Sequence, residues 1–408
     1  MKILIVSQYF WPENFRINDL AVGLTKKGHD VSVLTGIPNY PVGGFFKGYS
    51  IIGPKFELYE KIKIYRSILF PRGSGGKFRL FLNYFSFAFF ASIKILLLSN
   101  KKYDIIFVHE PSPITVGLPA LVLKKIKNIP IVFWVMDLWP ESIYVGSDLK
   151  SDTISKIILP LVRLIYKKSD RILVTSRAFI PSIVEKNIKQ KKIEYFPQWA
   201  ESIFKQNNNI NQAYKNTFPR GFNIVFAGNI GHAQDFESII KAAELLKDNS
   251  NINWIIIGSG RKEDWVRQQI KEKKLDNTFH LFGKYPLDDM PAMYSNADAL
   301  LITLKRSNIL SLTAPGKIQS YLAFGKPILS MMDGEGTRII KESKAGLTAP
   351  AGKPVQLIEN VLKMTEMNNS ELQKMGFNGK EYYEINFDRD YLINKLIGLF
   401  QKLKKGPS

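Results

Sequence analysis

The sequence predicts an α/β protein of two Rossmann-like domains. Three observations carry that expectation: strands and helices alternate from the first residues onward, one polar stretch interrupts the alternation, and the chain is 408 residues long. A single hydrophobic core stops growing at roughly 250 to 300 residues, so this length calls for two domains.

The alternation opens with the apolar run KILIVSQ at 2–8, a helix over about 14–27 that Gly28 is placed to end, and the strand DVSVLTG at 30–36. It continues with strands at 104–110, 129–137 and 170–176, separated by helices near 115–127 and 153–168, and with IEYFPQW at 193–199. These strands are continuous apolar runs, as parallel strands covered on both faces are. The asparagine-rich stretch 201–220 reads as a linker. Strands resume at 222–229, 253–260, 279–285, 297–304 and 326–331, and an amphipathic helix at about 389–405 ends the pattern. The expected domains are therefore 1–200 and 221–388, the final helix packing back on the first.

With 45% hydrophobic and 23% charged residues the chain is an ordered globular one. It has no cysteine, which excludes disulfides and thiolate chemistry. The four histidines, His29, His109, His232 and His280, are too scattered for a zinc signature, and no metal is expected. Net charge is +21, unevenly spread: residues 1–200 carry 29 Lys and Arg against 14 Asp and Glu. Such a half suits nucleic acid, an acidic membrane or phosphorylated substrates, or is simply solvated surface. Aromatic residues are not interleaved with basic ones along an exposed face, which argues against nucleic acid.

The amino-terminal apolar run is too short for a signal peptide and reads as a first buried strand. The segment 77–102 is different: LFLNYFSFAFFASIKILLL approaches the length of a membrane span and has Lys77 and Arg79 before it, Lys101 and Lys102 after it. Asn83, Ser86, Ser92 and Lys94 interrupt it. An interfacial helix on an anionic membrane surface fits these features best, with a buried sheet-packed helix and a true span as the alternatives.

Ligands of such sheets bind beyond the carboxyl ends of the strands. That rule selects 11–16, His109 and Glu110, 137–141, 229–234, 258–261, Lys284 with Tyr285, and 305–317. Pro315-Gly316-Lys317 opens a helix whose free amides, with the lysine, suit a diphosphate. Lys317 is the first candidate to stabilise a departing diphosphate; the alternative is a lysine that merely decorates a helix start. Asp137 or Glu141, at a strand end, is suited to bind or deprotonate an acceptor hydroxyl, and Glu110 is a base candidate or a solvated acid.

Four motifs, SQYFWPENFRINDLAVGLTKKGHDVSVLTGIPNYP, FWVMDLWPES, FAGNIGHAQDFESIIKAAELL and PGKIQSYLAFGKPI, together resemble glycosyltransferase family 4 over almost the whole chain. The branch they are most similar to is the WbuB-like L-fucosamine transferases. The resemblance implies a GT-B fold, two facing Rossmann-like domains with a deep interdomain cleft, and metal-independent transfer with retention of configuration. It implies no cofactor beyond the nucleotide-sugar co-substrate, a UDP-sugar, with N-acetyl-L-fucosamine as the sugar. The partners implied are a polyprenyl-diphosphate-linked acceptor and the inner face of a bacterial cytoplasmic membrane, in capsule or O-antigen synthesis.

Carried over position by position, it implies that His109 contacts the donor sugar. Asn229, Gly231, Arg261, Lys284, Tyr285, Arg306, Gly316, Lys317 and Ser320 form the donor site, and Glu13, Asn14, Arg16 and Glu141 the acceptor site. Asn229 and Gln234 stand where the family has an arginine and a lysine, and Leu312 and Ser320 where it has two glutamates. Glycines that relatives place near Trp11–Asn14 are also absent. A UDP-sugar 2-epimerase of the same architecture, or a non-catalytic nucleotide-sugar-binding member, remain as alternatives.

Overall fold

The computed structural model describes residues 1–144, 152–205 and 212–405. Its chain contacts form two compact units, Met1–Pro197 with Asp390–Ser408, and Gln198–Arg389.

The first unit is built on an eight-stranded sheet of β1 (Lys2–Ser7), β2 (Asp30–Gly36), β3 (Phe56–Tyr59), β4 (Ile62–Ser67), β5 (Ile105–Glu110), β6 (Ile131–Val135), β7 (Arg171–Val174) and β8 (Ile193–Tyr195). Its strand order is β3-β4-β2-β1-β5-β6-β7-β8, and every pair is parallel except β3 with β4. Strand order reverses between β1 and β5, where Ser7 is in register with His109 and His109 with Trp134. β5 and β6 are buried at every position, as their unbroken apolar runs require. Gly28, at φ +82°, closes the helix Arg16–Lys26 in a left-handed conformation that costs glycine little.

The hairpin of β3 and β4 is absent from the sequence expectation. β3 lies at the sheet edge and alternates exposed with half-buried residues, so it lacks the apolar run that marks the inner strands. The helix Arg389–Lys404 sits in this unit: Phe400 meets Phe107 edge-on at 5.8 Å, and Lys395 donates to the Tyr195 carbonyl.

The second unit holds six parallel strands: β9 (Phe222–Ala227), β10 (Ile252–Ile257), β11 (Phe279–Gly283), β12 (Ala299–Thr303), β13 (Ile328–Met331) and β14 (Gly346–Ala349). The order β11-β10-β9-β12-β13-β14 is the doubly wound one that reverses between its first and fourth strands, β9 and β12. Its core layers Phe226, Phe236, Trp254, Leu301 and Met331. β14 is four residues long and starts at glycine, too slight a signal to read in the sequence.

Much of the stretch expected to be a linker packs on this unit, although 206–211 lie outside the described residues. Phe204 stacks on Tyr294 at 5.4 Å, Tyr214 meets Tyr285, and Phe218 meets Phe282. Its aromatic residues, spaced among asparagines, supply the anchors.

Candidate functional site

In the first unit the sheet reversal brings Ser7 and His109 together. The Ser7 hydroxyl lies 3.0 Å from His109 Nδ1, and the ring leans on Trp134 at 5.5 Å. Burial lowers the His109 pKa to about 3, so the imidazole is neutral at physiological pH and acts there through hydrogen bonds rather than charge. Glu110 is fully buried, and neither carboxyl oxygen has a well-aligned hydrogen bond among the described residues. Burial first, then the neighbouring Asp137 charge, pushes its pKa well above the carboxylate range, although the amides of Asp137 and Met136 and the Trp139 indole oppose the shift. Glu110 is therefore a neutral acid in the free protein. Asp137, raised by burial only to about 6, is mostly ionised at pH 7, the charge state a base requires.

Glu141 is engaged by a cation. Its Oε1 accepts from Lys186 Nζ and from the Ser182 hydroxyl, both at 2.6 Å, and Lys186 is buried. Glu13 holds backbone: Oε1 accepts the amides of Asn39 (2.8 Å) and Tyr40 (2.7 Å), and Oε2 that of Phe10 (3.3 Å). Burial raises its pKa to about 7 against those three amides. Glu13 thus fixes the loop that presents Asn14, which is exposed, and Arg16, which is half-buried. Sequence reasoning missed Ser7, Lys186 and the buried Arg66, which donates to the carbonyls of Gly36 and Trp11 and pairs with Glu57. Ser7 opens one of the quoted motifs without being marked there as a site residue, and Lys186 and Arg66 lie in none of them; each is recruited by register or by a distant loop.

In the second unit Lys317 starts the helix Lys317–Phe324, and its ammonium lies 3.9 Å from the centre of the Phe226 ring, on β9 at the sheet reversal. Among the described residues no carboxylate pairs with it. Burial lowers its pKa to about 7. Gly228 makes the room: at φ +139°, a Cβ there would lie 2.5 Å from Lys317 Cε and Nζ. Gly258 and Gly260 pack as tightly, their missing Cβ atoms falling 1.9 Å from the Gly228 carbonyl and 2.3 Å from the Ile230 carbonyl. Gly228 thus lets backbone approach a buried ammonium that no carboxylate neutralises among the described residues, with Gly258 and Gly260 packing that loop tightly, an arrangement that fits an anion.

Around this point Asn229, Arg261 and Gly316 are exposed and Gly231 is buried, with room for no side chain between Asn229 and Gln234. Lys284 is exposed after β11, beside Tyr285. Arg306 reaches Asp333 at 3.8 Å and remains largely in solvent. Lys305 is committed to Glu237, which it shares with Lys262. Ser320 donates to Glu201 Oε2 at 3.2 Å. An acidic group therefore does stand next to Ser320, but it comes from 119 positions away in sequence. Glu335 is a buried carboxylate in this unit, held by Nε and one terminal nitrogen of Arg338.

The helix Lys77–Leu98 is apolar on its outside. Phe78, Phe81, Phe85, Phe89, Ile93 and Leu97 form an exposed stripe at helical spacing, Phe78 and Leu97 being more than 70% exposed. The polar interruptions point inward. Asn83 accepts from Gln8 Nε2 and donates to the Phe70 carbonyl, Ser86 accepts the Phe70 amide, and Lys94 donates to the Arg66 carbonyl. Among the described residues this is the one helix with the length and hydropathy to cross a membrane.

Residues 15–199 match the family described as Glycosyltransferase Family 4, and residues 209–382 match Glycosyl transferases group 1. The chain is a glycosyltransferase. A probable glycosyltransferase of Pseudomonas aeruginosa, WbjE, is 26% identical over 291 residues, 70% of this chain and 72% of the relative. The putative colanic acid biosynthesis glycosyl transferase WcaI of Escherichia coli is 24% identical over 339 residues, 80% and 82% of the two chains. Among solved structures, HepE of Anabaena in complex with UDP superposes with a TM-score of 0.73 at 14% identity, over 99% of this chain and 100% of that one. The fold of this glycosyltransferase is thus GT-B, each unit carrying a Rossmann-like sheet.

Proposed function

We propose that this glycosyltransferase moves a sugar from a UDP-sugar to a lipid-linked oligosaccharide in bacterial surface-polysaccharide synthesis, with retention of configuration. The carrying observation is Lys317: a buried ammonium at the sheet reversal of the second unit, set against Gly228, with no carboxylate partner among the described residues. A nucleotide diphosphate supplies the charge that ammonium lacks, and the charge that builds on the leaving diphosphate during transfer is stabilised most where water is excluded. The exposed Asn229, Arg261, Lys284 and Arg306 with Tyr285 complete the donor site in this reading, and Ser320 with Glu201 offers hydroxyl recognition.

The acceptor side belongs to the first unit. Asp137 is the base candidate, His109 a neutral hydrogen-bonding contact to the sugar, and Asn14 and Arg16 reach the acceptor from the loop that Glu13 holds. The helix Lys77–Leu98 supports a peripheral position on the cytoplasmic face of the membrane, because its outward phenylalanines favour lipid and the flanking lysines favour anionic headgroups. UDP itself is present in structures of HepE and of S. aureus TarM, which supports UDP as the nucleotide. N-acetyl-L-fucosamine is the sugar proposed, from the WbuB-like motifs. The test is release of UDP from a panel of UDP-sugars by the full chain with polyprenyl-diphosphate-linked glycans. Release with an N-acetylated fucosamine donor supports the reading; no release from any UDP-sugar overturns it.

A further inference from the structure

Between the helix Lys77–Leu98 and the chain leading to β3 lies a cavity of about 240 Å³. Ile51, Ile68, Phe90, Ile93 and Leu97 contribute its apolar walls. Ile93 and Leu97 also belong to the exposed stripe, so the apolar surface runs without a break from the outside of the helix into the cavity. At the other end the walls are Ile37 and Ser67, at the carboxyl ends of β2 and β4. There Arg66 ties β4 to the loop after β1 through the Trp11 carbonyl. The cavity therefore joins the outward stripe to the strand ends where the first unit presents its polar groups.

Its charge is one-sided. Lys55, Arg66 and Lys94 line it and, among the described residues, no acidic one does. Arg66 is neutralised by Glu57, but among the described residues Lys94 donates only to two carbonyls, of Arg66 at 2.7 Å and of Lys55 at 3.4 Å. The Lys94 ammonium is half-buried beside a second lysine, and its pKa is lowered by burial and then by Lys55. An apolar slot with cations and no anion at its rim is complementary to a hydrocarbon chain that ends in phosphate.

We infer that this groove holds the isoprenoid chain of the diphosphate-linked acceptor, with Lys94 and Lys55 beside its phosphates. This rests on the lipid-linked acceptor of the proposed function. The occupant is the substrate's chain rather than a bulk phospholipid because the groove leads to the strand ends, whereas bulk lipid needs only the stripe.

The test uses the full chain and farnesyl diphosphate as probe, titrated calorimetrically against inorganic diphosphate, with sedimentation on phosphatidylglycerol vesicles measured in parallel. Wild type is expected to bind farnesyl diphosphate at least tenfold more tightly than inorganic diphosphate. Ile68→Trp, which fills the groove from a wall that is not part of the stripe, is expected to weaken farnesyl diphosphate at least tenfold and leave vesicle binding unchanged. Phe85→Ser, on the stripe and outside the groove, is expected to do the reverse. Ile51→Trp repeats the first test from the opposite wall if Ile68→Trp does not fold.

Equal binding of the two diphosphates overturns the inference, as does an unaffected groove-filled variant. Loss of farnesyl diphosphate and vesicles in parallel in both variants assigns the binding to a general lipid surface and also overturns it. UDP binding, followed by thermal shift, is separate: if UDP fails to bind, the glycosyl-transfer reading fails whatever the groove does.

Discussion

Replacing Lys317 with methionine keeps the side chain's length and removes its charge, and the structure predicts opposite effects on stability and on donor binding. Burial lowers the lysine from 10.5 to about 7. At 1.36 kcal/mol per pK unit, holding the ammonium charged costs the free protein about 5 kcal/mol, of which the Phe226 ring returns about 0.5–2 kcal/mol. Below pH 7 lysine is protonated in both folded and unfolded chains and the full cost is present. Between pH 7 and 10.5 the unfolded chain binds the proton that the folded one has released, so wild-type stability rises with pH across that window.

K317M removes both the cost and this pH dependence. At pH 6 even about 1.5 kcal/mol of the gain raises the melting temperature by about 3–6 °C in a unit of this size. UDP binding moves the other way. Above pH 7.5 the nucleotide's terminal phosphate, with a pKa near 6, keeps its charge, while the free lysine loses its proton. Wild-type affinity for UDP is therefore expected to fall close to tenfold per pH unit from 7.5 to 9, and K317M to bind weakly with no such slope. Differential scanning fluorimetry and calorimetric titration of UDP from pH 6 to 9 read both effects. A K317M protein less stable than wild type at pH 6 refutes the burial argument, and one that binds UDP as tightly as wild type refutes the site.

The same structure predicts three further outcomes. Asp137→Asn removes a carboxyl whose folded pKa is raised from 3.8 to about 6; the unfolded chain ionises first, so wild-type stability falls from pH 4 to 6 and stays lowered above. D137N is then more stable than wild type by up to about 3 kcal/mol at pH 8 and not at pH 4, by urea unfolding. Glu141→Gln leaves the buried Lys186 without its counter-charge and should destabilise the protein by on the order of 3 kcal/mol, whereas replacing both residues together with apolar ones should cost less; a double-mutant cycle at pH 7.5 reads the difference. Gly228→Ala places a Cβ 2.5 Å from the Lys317 ammonium at a φ of +139°; a stability loss of about 1–3 kcal/mol with weakened UDP binding is expected, and unchanged UDP affinity would place the nucleotide elsewhere.

Much of the architecture was legible because buried parallel strands are written as unbroken apolar runs, as in KILIVS, IIFVHE and IVFWV, and because glycine and proline punctuate the turns after them. Apart from β4, the inner strands of both sheets follow from that pattern alone. β3 and β14 do not: one is an edge strand that needs only half an apolar face, the other four residues that begin with glycine. The stretch 201–220 looked like a linker because asparagine dominates its composition, while what decides its place is a few aromatic side chains that find partners far along the chain.

By itself the sequence determined the fold class, the strand ends where chemistry gathers, and the singular character of the segment 77–102. Tertiary structure decided which of the strand-end groups are spent. It committed Glu141 to Lys186 and Glu13 to three loop amides, and left Lys317 without a carboxylate among the described residues. It also decided which way the helix Lys77–Leu98 faces, its asparagine and serine turned inward and its phenylalanines outward. Charge state and burial depend on neighbours brought together from distant positions, such as Ser320 and Glu201, and a linear pattern carries periodicity but not those encounters.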